Sequence, residues 1–248
     1  MTSFYLALAL TIALTLNNRH KVVRATGTAI AAISLGFMAW SIILANSDGT
    51  FAAAPANSRT PLLLNIEAAL LIAGAALLLW TVPRQLRQPT TPIPLRGTPT
   101  AYGQITRTLH WTSAVLIIAA FTMGQFIGIL ATDNPVRADF LATHIAIGGA
   151  IFLLTFARMI ERLLKPAPPN PTNVHLAHCL LYALITATCV TGLAMVDTPV
   201  QLLGLSLPNL PADPIAAPLH QRTLPVLFLI LIALHLYGAI RAIRRMAR

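Results

Sequence analysis

Charge is what this 248-residue chain has least of: Asp, Glu, Lys and Arg together make 10% of it. Soluble globular domains carry about 25%, so a water-solvated surface of the ordinary kind is excluded for most of the sequence. Acidic residues are scarcest, 7 against 17 basic ones, and the formal charge is +10. In a soluble protein that excess would suggest nucleic acid. Here the basic residues flank apolar runs, where they set orientation in a membrane, and nucleic-acid binding is set aside. Cysteine is nearly absent, with only Cys179 and Cys189. On one predicted helix they are about 15 Å apart in rise, beyond disulfide reach. Neither has a CxxC context, so packing is their default role. No catalytic dyad and no phosphate loop occur, so any chemistry must come from a bound group.

What is abundant is apolar sequence, 56% hydrophobic with a mean hydropathy of +0.72. Seven runs are read as spans: 4–16, about 25–44, 62–80, 108–130, 143–164, 175–196 and 219–241. The first is short. A signal peptide would need a basic start and a small-residue cleavage motif, but Arg19, Lys21 and Arg24 follow the run instead. An uncleaved helix with its N-terminus outside is expected. The second and third runs carry small residues four apart, Ala32/Gly36 and Ala69/Ala73, a spacing that lets helices approach closely in lipid. Glu67 is the one acidic residue well inside a span of the first half. An intramembrane carboxyl is a functional candidate, but its place one or two turns from the outer end favours an interfacial hydrogen bond. The Pro/Thr-rich stretch 85–100 is the best internal boundary, dividing three helices in 1–84 from four in 101–248.

Seven spans starting outside put fourteen of the 17 basic residues inside and leave Arg59, Arg137 and Arg222 outside. The opposite orientation reverses that ratio, and the positive-inside rule selects the first. The expected fold is an all-α integral membrane protein of seven spans, its C-terminus cytoplasmic.

The histidines carry the function. His220 opens the last run and His235 lies near its end, before Arg241, Arg244, Arg245 and Arg248. Fifteen residues give about 22 Å of rise and leave the rings roughly 60° apart around the axis. One helix thus offers an imidazole near each membrane surface. In the expected topology His110 shares the inner depth with His235, and His144 shares the outer depth with His220. Two pairs of neutral imidazoles facing across a bundle are what haem iron takes as axial ligands. Four unrelated buried histidines would be the plainer account, but pairing by depth on different helices argues against it. His175 and His178 open the sixth run inside and compete for the inner iron; a polar-interface or propionate role is the expectation for them. His20 lies in a basic loop and is expected to be solvated.

At these residues the chain resembles the bacterial cytochrome b561 family, four-helix membrane proteins carrying two b haems. The resemblance covers about 101–248. It rests on Tyr102-Gly103 ahead of Arg107-Thr-Leu-His110-Trp111, His144-Ile-Ala-Ile-Gly148 with Arg158 and Arg162, His175-Leu-Ala-His178-Cys-Leu-Leu-Tyr182, Gly192, and the pair His220 and His235. It implies His110, His144, His220 and His235 as ligands of two haem b groups, matching the depth argument. Non-covalent binding is expected, since no CxxCH motif occurs. Three departures stand out. His220 and His235 are one residue further apart than the family's usual spacing, with Pro225 between them, so a kink or bulge is expected. Gln221 stands where a glutamate commonly follows the histidine. Residues 1–84 have no counterpart in the four-helix pattern.

The resemblance further implies a bacterial inner-membrane electron carrier or oxidoreductase linked to quinone, ubiquinone among its partners, with superoxide or a periplasmic redox protein at the other end. Outside, three arginines face Asp48, Asp133, Asp139, Asp197 and Asp213, a balance that does not favour superoxide. Quinone-linked transfer between two haems is therefore the leading expectation. The alternatives are a haem-bearing subunit of a larger respiratory or photosynthetic complex, docked through 1–84, and a haem-free transporter or scaffold.

Overall fold

The computed structural model describes residues 2–18, 20–49, 60–87, 93–164, 168, 172–196, 201–202, 205–206, 210–211 and 213–246. The seven apolar runs become α1 (Thr2–Leu16), α2 (Lys21–Ser47), α3 (Thr60–Arg87), α4 (Gln104–Ile127), α5 (Pro135–Leu164), α6 (Thr172–Leu193) and a last rod in three pieces. That rod is α7 (Ala216–Pro218), a π turn (Leu219–Thr223) and α8 (Leu224–Met246). Between α6 and α7 a two-residue antiparallel pair forms, β1 (Gln201–Leu202) with β2 (Leu205–Ser206). Among the described residues, six rods are long and apolar enough to cross a membrane. The first helix, with 15 residues, rises only about 22 Å against a hydrocarbon core of about 30 Å. The chain is a multi-pass membrane protein by this measure, with six candidate spans and one shorter apolar helix.

Several helices overrun their apolar stretches because polar caps lie outside them. The start of α5 is the clearest case. Pro135 occupies its first position, where a missing N–H costs nothing, and the Asn134 side chain accepts from the Val136 N–H at 3.0 Å. The hydrophobic run alone placed that start near residue 143.

The short α1 buries a stripe of Ala9, Ile12, Ala13 and Leu16, spaced for one helical face. Ala9 joins a core formed with Leu116, Ala119, Ala120 and Met123 of α4 and Ile147, Ala150 and Ile151 of α5. At its end the Asn17 amide donates to the Thr108 hydroxyl at 2.7 Å. The next two helices pair through Ala39, Ile42 and Ala45 against Leu64, Ala68 and Leu71. The small-residue spacings read from sequence do not make this contact. Ala69 and Ala73 are exposed, and the space around Gly36 is open. Gly27 is the glycine that permits close approach, since a Cβ there would run into the Thr15 side chain. Ala-rich helices supply small-xxx-small pairs on every face, so the spacing alone does not choose the contact face.

Glu67 sits two turns into α3, yet it is 4% exposed and faces α4, not the membrane surface. The Thr122 hydroxyl donates to its Oε1 at 2.6 Å, and its Oε2 has no partner among the described residues. Of the proposed linker, residues 85–87 continue α3, and 88–92 lie outside the described residues. The remainder is a docked strap. Pro94 and Leu95 carbonyls accept from the Gln104 and Ile105 N–H groups at 2.8 and 3.2 Å, and the Gln104 side chain donates to Ile93 O at 3.0 Å. These bonds satisfy orphan donors of the first turn of α4. The strap lies so close that a Cβ at Gly103 would strike the Arg96 and Gly97 backbone.

Candidate functional site

The structure sorts the histidines into two groups at opposite ends of the bundle. At one end His144 of α5 meets His220 of the π turn, with ring centroids 6.0 Å apart and planes at 85°. At the other, beside Arg158, His110 of α4 meets His235 of α8 at 6.1 Å and 50°. Two imidazole nitrogens on opposite sides of one metal, each about 2 Å from it, place ring centroids roughly 6 Å apart. Both pairs have the spacing of a bis-histidine centre.

The first pair is held alike on both sides. His144 Nδ1 lies 2.8 Å from Ala120 O, and His220 Nδ1 lies 2.9 Å from Thr188 O, with Thr191 Oγ1 at 3.3 Å. A carbonyl can only accept, so each Nδ1 carries the ring proton and each Nε2 keeps its lone pair for a metal. Four residues beyond each carbonyl stands a glycine. A Cβ at Gly124 would lie 3.1 Å from His144 Cε1, and one at Gly192 would lie 2.9 Å from His220 Cε1. The missing side chains let each ring lie flush on its neighbouring helix and reach the carbonyl. Gly192 was noted in the sequence; Gly124, Ala120 and Thr188 were not. A small residue one turn after an unremarkable one is too weak a signal to find them.

The π turn bears on register. A π turn accommodates one extra residue, so His220 and His235 subtend the angle of a fourteen-residue separation, about −40° instead of +60°. The irregularity expected near Pro225 therefore lies just before it, at Leu219–Thr223. Proline offers no N–H to an α-helical bond with residue 221.

The second group is less symmetric. Arg158 Nη2 lies 3.2 Å from His110 Nδ1. A guanidinium can only donate, so Nδ1 accepts there, and His110 carries its proton on Nε2 until Arg158 moves away. His178 also belongs to this group, its ring 5.6 Å from that of His235 at 75°. Trp111 packs edge-on against His110 at 5.3 Å, and the Arg158 guanidinium lies 5.3 Å from the Tyr182 ring centroid. His175 stays outside, exposed, with its Nε2 3.7 Å from Cys179 Sγ. His20 is exposed in the turn before α2.

No group of three or more His, Cys, Asp or Glu among the described residues could hold a bare metal ion. Two opposed histidines need a group that brings its own equatorial ligands, which a porphyrin does. The donor set, the free Nε2 atoms of the His144–His220 pair and the glycine-cleared approach all fit haem. Among known proteins, a family described as prokaryotic cytochrome b561 matches residues 101–247. No solved structure matches the chain.

Proposed function

The chain belongs to the prokaryotic cytochrome b561 family, whose work is transmembrane electron transfer with haem b, and from that premise we propose two bis-histidine centres linked to the quinone pool. When bound, two haems b supply one-electron transfer. The residues do the rest. His144 and His220 are assigned to one centre, and His110 and His235 to the other. Along the last rod the two centres are separated by about 21 Å of rise. Ala120 and Thr188 orient the first pair through their carbonyls. Arg158 sets a cation beside the second. The basic end is assigned to the cytoplasm of a bacterial inner membrane. The observation that carries the reading is the equal, metal-sized spacing of the two histidine pairs.

Its test is a pyridine haemochrome determination on the full chain, with the reduced-minus-oxidised spectrum. Two haems b per chain are expected, released by acid acetone because no CxxCH motif anchors them. Zero would remove the functional reading; one would remove one centre.

Gly192→Ala is expected to weaken the His144–His220 centre without touching either ligand. Its Cβ must displace the His220 ring, and such overpacking costs about 1–3 kcal/mol, roughly ten- to hundredfold in haem retention. Gly124→Ala, with a looser clash, should do less. Haem transfer to a scavenging apoprotein checks the order.

A second reading is favoured by the N-terminal extension, which lies outside the matched residues. In it, the chain is the haem subunit of a larger membrane complex that docks through residues 1–84. Co-purification in mild detergent separates the two readings.

A further inference from the structure

A cleft of about 560 Å³ opens where the turn between α1 and α2 meets the start of α4. Asn17, Asn18 and His20 line one wall and Gln104 and Thr108 the other, with Leu14 and Ile93 adding the apolar part. It is built half from the N-terminal extension and half from the haem-binding region. No Lys, Arg, Asp or Glu is among the described residues lining it. A phosphate or a carboxylate would find no counter-charge in such walls, so the fitting ligand is neutral and oxygen-bearing. Leu14 is 55% exposed on the outside of α1, so the cleft adjoins the surface that faces lipid.

Asn17 supplies the second observation. It is 7% exposed, its Nδ2 donates to Thr108 Oγ1 at 2.7 Å, and its Oδ1 has no partner among the described residues. A buried amide oxygen of this kind calls for a donor. The pair can also reverse. With the amide turned over, Thr108 donates to Oδ1, and Nδ2 becomes the free group. One arrangement accepts from a hydroxyl; the other donates to a carbonyl. A quinol presents the first and a quinone the second.

We propose that this cleft binds the headgroup of a membrane quinone in both oxidation states, with Asn17 and Thr108 as the pair that reads them. The proposal rests on the quinone-linked reading above and gives that partner a location. Thr108 is two residues from His110 on α4, which places the headgroup about one helix diameter, ~10 Å, from that centre. The extension is then part of the binding site. The cleft is distinct from Glu67, whose partner Thr122 lies fourteen residues further along α4.

The test uses the full holoprotein in phosphatidylcholine nanodiscs, with decylubiquinone and its reduced form titrated by equilibrium dialysis. Asn17→Leu and Thr108→Val are each expected to weaken binding at least tenfold at unchanged haem content. Asn18→Trp, at the half-buried rim, blocks the cleft without altering the pair and should do the same. It keeps the test decisive if a buried variant does not fold. Wild-type binding that all folded variants retain would overturn the cleft and leave the quinone reading intact. No wild-type binding would overturn both. If the variants instead lose a phospholipid seen by native mass spectrometry while binding quinone normally, a lipid headgroup occupies the cleft and the proposal fails.

Discussion

Replacing His220 by leucine is expected to remove one haem of two while the other keeps its reduced spectrum. His144→Leu should remove the same one. The two rings lie 6.0 Å apart, and each has its Nδ1 engaged by a carbonyl, Ala120 O for His144 and Thr188 O for His220. With either ring gone, the iron keeps one strong ligand in an apolar bundle that offers no substitute. The loss should be nearly complete, not graded. His235→Leu should remove the other haem. For His110→Leu the outcome carries more information, because His178 lies 5.6 Å from His235 and is a ready replacement. Loss of the haem places His110 on the iron; retention there, with loss in His178→Leu, places His178 on it. Haem-to-protein ratios and low-temperature α-band spectra of the five variants decide the pairing. If His110→Leu and His220→Leu each lost the same haem while His144 and His235 proved dispensable for it, the pairing would be wrong.

A chain beginning at Thr98, given a start methionine, is expected to keep both haems and lose decylubiquinone binding together with any co-purifying partner. Every residue assigned to the two centres lies beyond the cut, as do Gly124 and Gly192. The uncovered face of α4 is mostly apolar and meets lipid at little cost. Thr122, deprived of Glu67, still has Ile118 O at 3.0 Å. The first turn of α4 does lose the strap carbonyls of Pro94 and Leu95 and should fray. What disappears outright is half of the cleft, with Leu14, Asn17, Asn18 and His20. Intact quinone binding by the shortened chain would make residues 1–84 a docking surface alone. Loss of both haems would make them part of the haem scaffold.

Glu67 marks the limit of reading depth from a sequence. Its distance from the end of its helix was legible, and so was its rarity as an acid inside a span. Which neighbour faced it was not, because Thr122 lies 55 residues away and nothing in either segment names the other. The strap over α4 was hidden for a similar reason. Its proline and threonine content reads as a tether, yet backbone carbonyls that carry no side-chain signature dock it.

The sequence by itself determined the membrane class, the position of every long helix to within a few residues, and the depth of each histidine. These are one-dimensional quantities: hydropathy run length and helical rise convert residue number directly into distance along a membrane normal. The tertiary structure decided everything lateral. It brought His178 into the His110–His235 group and left His175 outside, although the two are three residues apart on one helix. It tied His144 and His220 to backbone carbonyls, turned α3 so that Glu67 met α4, and joined Asn17 to Thr108 at the edge of a cleft. Helices in lipid choose their neighbours by shape and by a few polar contacts, because apolar side chains gain little from leaving one hydrocarbon for another. Those choices depend on several segments at once, and no single stretch of the chain records them.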